Sequence, residues 1–103
     1  METLYTLQKG RCYYCIKQLG AYSAPGAFVR DHLSPVLGFS YASSFAADTI
    51  DNIALTCHAC NETKGRLDEN AYWQLLGKKH GNRWVEKRQK AMNASREWRA
   101  ARR

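Results

Sequence analysis

The chain has 103 residues, a net charge of +7 and four cysteines. This length allows one small domain, of a size that often depends on a metal or disulfide staple, and no apolar run is long enough for a membrane-spanning helix. The charge is uneven: from Lys78 to Arg103 there are ten Lys/Arg against two Glu, which makes that segment +8 and leaves the rest at −1.

In chain order, residues 3–9 are expected to form a short helix with Leu4 and Leu7 on one face and Gly10 ending it. Cys12 to Cys15 then makes a tight knuckle, and the Gly, Ser, Ala and Pro of residues 20–26 read as turn or loop. Residues 27–33 have strand character and stop before Pro35, which lacks a ladder donor. Residues 38–51 read as a loop with a short helical turn near 44–47. Residues 52–56 form a second expected strand, Ile53 and Leu55 sharing a face. A helix is expected to start within or just after Cys57–Cys60 and end at Gly65. Asp68 is the expected N-cap of a further helix through Leu76, burying Tyr72, Trp73 and Leu76 and ending at Gly77. Asn82 is read as the cap of a last helix to the C-terminus, with Trp84, Arg88, Ala91, Ser95 and Trp98 along one face.

The first residues lack the basic and apolar regions of a secretory signal, so the reducing cytoplasm is the expected compartment. There, two Cys-x-x-Cys pairs are better explained by metal than by disulfides. Cys12, Cys15, Cys57 and Cys60 supply the four thiolates of a closed tetrahedral zinc site, which leaves no position for water and is therefore structural. The 41 residues between the pairs exceed the span of a simple zinc ribbon, so the site must close over an inserted strand–loop–strand. His58 lies between two better-placed cysteines and reads as a surface residue of the knuckle.

Within the insert and just beyond it lie residues of a different chemistry. Histidine exchanges protons near neutrality, so His32 can accept the proton of an attacking water. Asp31 and the Asn61 side-chain oxygen are hard donors suited to Mg²⁺ or Mn²⁺. Adjacent residues on a strand point to opposite faces, so Asp31 and His32 meet in one cleft only through a twist or bulge. Lys64 shares a helix face with Asn61, three residues away, and is a candidate phosphate contact.

The arrangement Cys-x-x-Cys, Asp-His, Asn, Cys-x-x-Cys-Asn-x-x-Lys-Gly resembles the zinc-stapled HNH endonucleases of the ββα-metal, or His-Me finger, group. The resemblance covers about residues 9–66 and is densest over NIALTCHACNETKG, residues 52–65. It implies an α+β fold: a β-hairpin packed on a helix around one catalytic metal, stapled by the four-cysteine site, with flanking helices. By the same resemblance His32 is the general base, Asp31 and Asn61 hold the metal, and Asn52 ties down the hairpin loop and so orients His32. Asn61 in the last position makes this an H-N-N variant. Family members usually carry Pro and a Gly-Gly pair after Asp-His, whereas here Pro35 and a single Gly38 precede Phe39, Ser40 and Tyr41.

Residues 1–77 then form the nuclease domain and residues 78–103 its basic helical extension. The expected partner is DNA rather than a membrane, with Arg83, Lys87, Arg88 and Lys90 tracking phosphates. Trp84 and Trp98, at helical spacing, are expected to pack rather than to stack on bases. Two alternatives compete with a free-standing endonuclease. One is a non-catalytic zinc module that binds nucleic acid, which has no need of Asp31 or His32. The other is a nuclease active only within a phage-type complex. One centre per chain cuts one strand, so cutting both calls for a homodimer, a larger nuclease complex or two visits.

Overall fold

The computed structural model describes residues 1–34 and 49–102. Pro35, Gly38 and the turn expected at 44–47 lie outside them. Among the described residues the fold is a small mixed one, with a two-stranded sheet, five α-helices and a four-cysteine cluster. No helix among them is long and apolar enough to cross a membrane. In order come α1 (Glu2–Leu7), β1 (Val29–His32), a 3-10 turn (Ile50–Asn52) and β2 (Ile53–Thr56). Four helices follow: α2 (His58–Lys64), α3 (Glu69–His80), α4 (Asn82–Ala91) and α5 (Asn93–Ala100).

The strands run antiparallel, with Val29 opposite Thr56, Arg30 opposite Leu55, Asp31 opposite Ala54 and His32 opposite Ile53. Both are shorter than the sequence pattern predicts, and β2 does not alternate: Ile53, Ala54, Leu55 and Thr56 are all buried. Its outer edge explains this. Leu55 and Ile53 turn their backbone groups away from β1, and other elements satisfy them. The Gln8 side chain donates to the Leu55 carbonyl (2.8 Å) and accepts from its N–H (3.1 Å), which makes one amide act as a strand residue. Tyr13 N–H also donates to the Leu55 carbonyl (3.0 Å), and the Arg99 Nε donates to that of Ile53 (2.8 Å). The edge is thus closed to further pairing.

α1 ends at Leu7, short of the expected Lys9, with Gln8 as its C-cap; Lys9 (φ 55°) and Gly10 (φ 67°) then turn the chain so that the Gly10 N–H returns to the Tyr5 carbonyl (2.9 Å). Its inner face is not Leu4 and Leu7 but Leu4 and Gln8, both essentially inaccessible. Asp68 caps α3 by accepting from the Ala71 N–H (2.7 Å), and Tyr72, Trp73 and Leu76 are buried as predicted. The helix does not stop at Gly77, however, but runs to His80. A glycine costs a helix only about 1 kcal/mol, and at 77 it lets α4 approach: a Cβ there would lie 3.2 Å from the Asn82 Oδ1. The chain turns instead at Gly81, with φ 96°. Asn82 is accordingly the first residue of α4 and not its cap; the N-cap position falls to Gly81, which has no side chain to offer.

The single terminal helix is also corrected. It breaks at Met92, which sits between α4 and α5 with φ −102° and ψ 10°. A straight continuation would carry the chain off the body. The break instead buries Met92, Ser95 and Arg99 at i, i+3 and i+7, with α5 against α1 and the 3-10 turn. Ser95 is the only member of the expected face that becomes fully buried, whereas Trp84 and Trp98 are partly buried against the core and Ala91 is exposed.

Candidate functional site

All four cysteines are free thiols whose Sγ atoms lie within 4.8 Å of one another. Cys15 and Cys57 are 3.7 Å apart, far beyond a disulfide bond and near the separation of about 3.8 Å expected for two thiolates on one tetrahedral zinc. Each pair is built by local backbone geometry. In the first knuckle the Cys12 N–H donates to the Lys17 carbonyl (2.8 Å) and the Ile16 N–H to that of Cys12 (3.1 Å). This turn holds Ile16 at a φ of 62°, an uncomfortable conformation for a β-branched residue. In the second, Cys57 is the N-cap of α2 and its Sγ accepts from the Cys60 N–H (3.4 Å). Hydrogen bonds from Cys12 and Cys60 pull the Cys15 thiol down to about 2. The bond with Cys15 pushes Cys12 up to about 11, and those with Cys12 and Cys15 push Cys60 up further. Thiols this crowded share their protons, so one ionises at the expense of the others. A metal ion such as zinc can take the place of those protons.

The second constellation lies where β1 meets α2. A cleft of about 310 Å³ is lined by Asp31, His32, Asn61 and Lys64, together with Val29, Arg30, Gly65 and Arg66. Asp31 and His32 both line this cleft, as do all four residues of β1, so the strand backbone forms part of its wall. Asp31 is buried and His32 is partly exposed at the end of β1, where it still pairs with Ile53. Beyond His32 the strand end is fixed by Asn52. Its side-chain amide accepts from the Ser34 N–H and donates to the Ser34 carbonyl, both at 2.8 Å, and its carbonyl accepts from Leu33 N–H (2.8 Å). Asn52 thus clamps the two residues that follow His32. Asn61 and Lys64 come from the same face of α2, which starts on the cysteine cluster, so the cluster sets the position of one wall of the cleft.

Lys64 does not fill the role expected of it. Its ammonium is 2% exposed as a residue, lies 3.2 and 3.4 Å from the two Asp31 oxygens, and donates to the His32 carbonyl at 2.8 Å. It is an internal counter-ion, not a surface cation waiting for phosphate. Burial still pushes the Asp31 carboxyl above its ordinary value, with the Lys64 charge opposing. Asp31 Oδ2 is buried with the Lys64 ammonium 3.2 Å away and, among the described residues, accepts no hydrogen bond. The Asp31 carboxylate, now ion-paired to Lys64, and Asn61 in one cleft make a donor set that fits a hard divalent cation.

The basic extension divides into two groups. Arg83, Lys87 and Lys90 are exposed, as a phosphate-tracking surface requires. Arg88 is half-buried, its guanidinium 3.8 Å above the Trp84 ring and donating to the Trp84 carbonyl (3.4 Å). Trp84 also stacks on His80 (4.3 Å), and Trp98 carries the Arg102 guanidinium at 4.0 Å. Arg99, one of the ten cations of the segment, is a core residue at 2% exposure. Two polar residues that hold the sheet behind the cleft, Gln8 and Arg99, are not singled out by the sequence. A third support is Glu69, whose carboxylate accepts from the Tyr13 hydroxyl and the Trp73 indole (3.1 Å), while its N–H holds the Leu33 carbonyl (2.7 Å). Compared with protein-family models, curated proteins and solved structures, the chain matches none.

Proposed function

We propose that the chain is a metal-dependent DNA endonuclease of the HNH kind, a ββα-metal core stapled by structural zinc at Cys12, Cys15, Cys57 and Cys60. One observation carries this: Asp31, His32 and Asn61 line a single cleft, and Asn52 clamps the strand end beside His32. In this role His32 accepts the proton of the attacking water. Asn52 keeps the backbone after His32 from drifting, so that the imidazole meets the water in one orientation. Asp31 and Asn61 would hold Mg²⁺ or Mn²⁺, which when bound polarises the scissile phosphate and stabilises the departing 3′-oxygen. Arg83, Lys87 and Lys90 supply sequence-independent attraction to the backbone, with Arg88 contributing from the edge of Trp84.

A second reading, a zinc-stapled module that binds nucleic acid without cutting it, draws on the Lys64 ammonium already seated on Asp31. Supercoiled plasmid separates the two. Zinc-loaded protein should convert it to nicked circle with Mn²⁺ or Mg²⁺ and leave it intact with EDTA. Plasmid that is retained in a gel shift yet stays uncut across divalent metals would favour the non-catalytic module.

A further inference from the structure

The ion pair in the cleft has a consequence for how the cation enters. The Lys64 side chain is 1% exposed and its ammonium touches both carboxylate oxygens of Asp31, at 3.2 and 3.4 Å. Asn61, three residues earlier on α2, lines the same cleft. An ammonium and a divalent cation need the same lone pairs of Asp31, and they repel each other strongly where water is excluded. We infer that Lys64 is a built-in competitor for the divalent cation at Asp31, so that the cation must displace its ammonium to bind. This rests on the nuclease reading only in assigning Asp31 to a cation.

Two details favour competition over a shared site. Among the described residues Asp31 is the one acid lining the cleft, and Lys64 already balances its charge while Arg30 and Arg66 line the same cleft, so a divalent ion meets no net negative charge there. Lysine carries its charge on a flexible four-carbon stem, whereas the carboxylate on its short stem is held in the strand. The same ammonium holds the His32 carbonyl at 2.8 Å. Its displacement therefore also frees the His32 carbonyl when the cation arrives, while Asn52 keeps its hold on Ser34.

The test needs neither DNA nor cleavage. Mn²⁺ is titrated into the zinc-loaded full chain, and free Mn²⁺ is read from its paramagnetic resonance signal. Manganese prefers oxygen and nitrogen donors and leaves the four-thiolate site to zinc. Lys64→Met keeps the length of the side chain and removes its charge; Lys64→Gln is also neutral and keeps a donor for the His32 carbonyl. Both should bind Mn²⁺ at least about tenfold more tightly than wild type. Adding Asp31→Asn to either should abolish the gain. Zinc content and thermal midpoint establish that each variant is folded, and either folded variant suffices. Unchanged or weaker Mn²⁺ binding in the folded variants would overturn the competitor role while leaving a cation-binding nuclease intact. Absence of Mn²⁺ binding from wild type and variants alike would overturn both.

Discussion

At Asn52 one amide satisfies two backbone groups of Ser34, at 2.8 Å each, immediately beyond the residue proposed as the base. Asn52→Ala should cost about 1–3 kcal/mol, the usual penalty for leaving hydrogen-bonding groups unpaired, measured by urea unfolding. Nicking by the fraction that remains folded should fall as well, because the clamp on the strand end is lost. Asn52→Asp should not rescue it: a carboxylate accepts from the Ser34 N–H but cannot donate to its carbonyl. Asn52 was legible only through the family resemblance. An Asp-His on a strand or an Asn after a cysteine pair is by itself more often structural, and only their arrangement with two Cys-x-x-Cys pairs singled out Asp31, His32 and Asn61. Gln8 and Arg99 were not legible. Each resembles the polar face of a helix, and only partners 47 and 46 residues away reveal it as part of the core. The place of Lys64 beside Asn61 was legible from helical spacing, which says nothing of Asp31 across the cleft.

The elements on which the site is built differ in what anchors them. α3 begins at a side-chain cap, and Asp68→Ala should cost about 1 kcal/mol through loss of the bond to the Ala71 N–H. α5 is held by Arg99, whose guanidinium donates to the Ile53 carbonyl and to Gln8 and lies 4.8 Å from the Tyr13 ring. Arg99→Ala should cost about 3 kcal/mol, as for truncation of a buried, hydrogen-bonded charge that strands its partners. A loss below about 0.5 kcal/mol, the range for a surface substitution, would mean that α5 is not docked on β2. Element boundaries were the least legible feature, for physical reasons. Gly77 is a weak helix breaker and a good close-packing residue, so α3 passes through it. Met92 is a good helix former by propensity, yet the chain breaks there because burying Met92, Ser95 and Arg99 outweighs one continuous helix.

For the molecule as a whole, the staple and the charge make separate predictions. The cysteine cluster joins a knuckle near the N-terminus to the start of α2, so removing its metal should unfold the chain instead of silencing it selectively. A strong chelator, or Cys57→Ser, should abolish the tryptophan and near-ultraviolet signals of tertiary packing. A fully folded, metal-free protein would contradict this. The cationic surface is smaller than the sequence implies, because Arg99 lies in the core and Arg88 packs on Trp84. Lys87→Gln with Lys90→Gln, both exposed, should reduce the slope of log K against log salt by about 2 on duplexes of any sequence. The role proposed for His32 lies in the chemical step and not in holding DNA. It is tested most directly by single-turnover cleavage of a labelled duplex in saturating Mn²⁺, with affinity measured in parallel by anisotropy. His32→Ala should lower the cleavage rate at least about a hundredfold with affinity and zinc content unchanged, whereas cleavage at the wild-type rate would contradict the assignment.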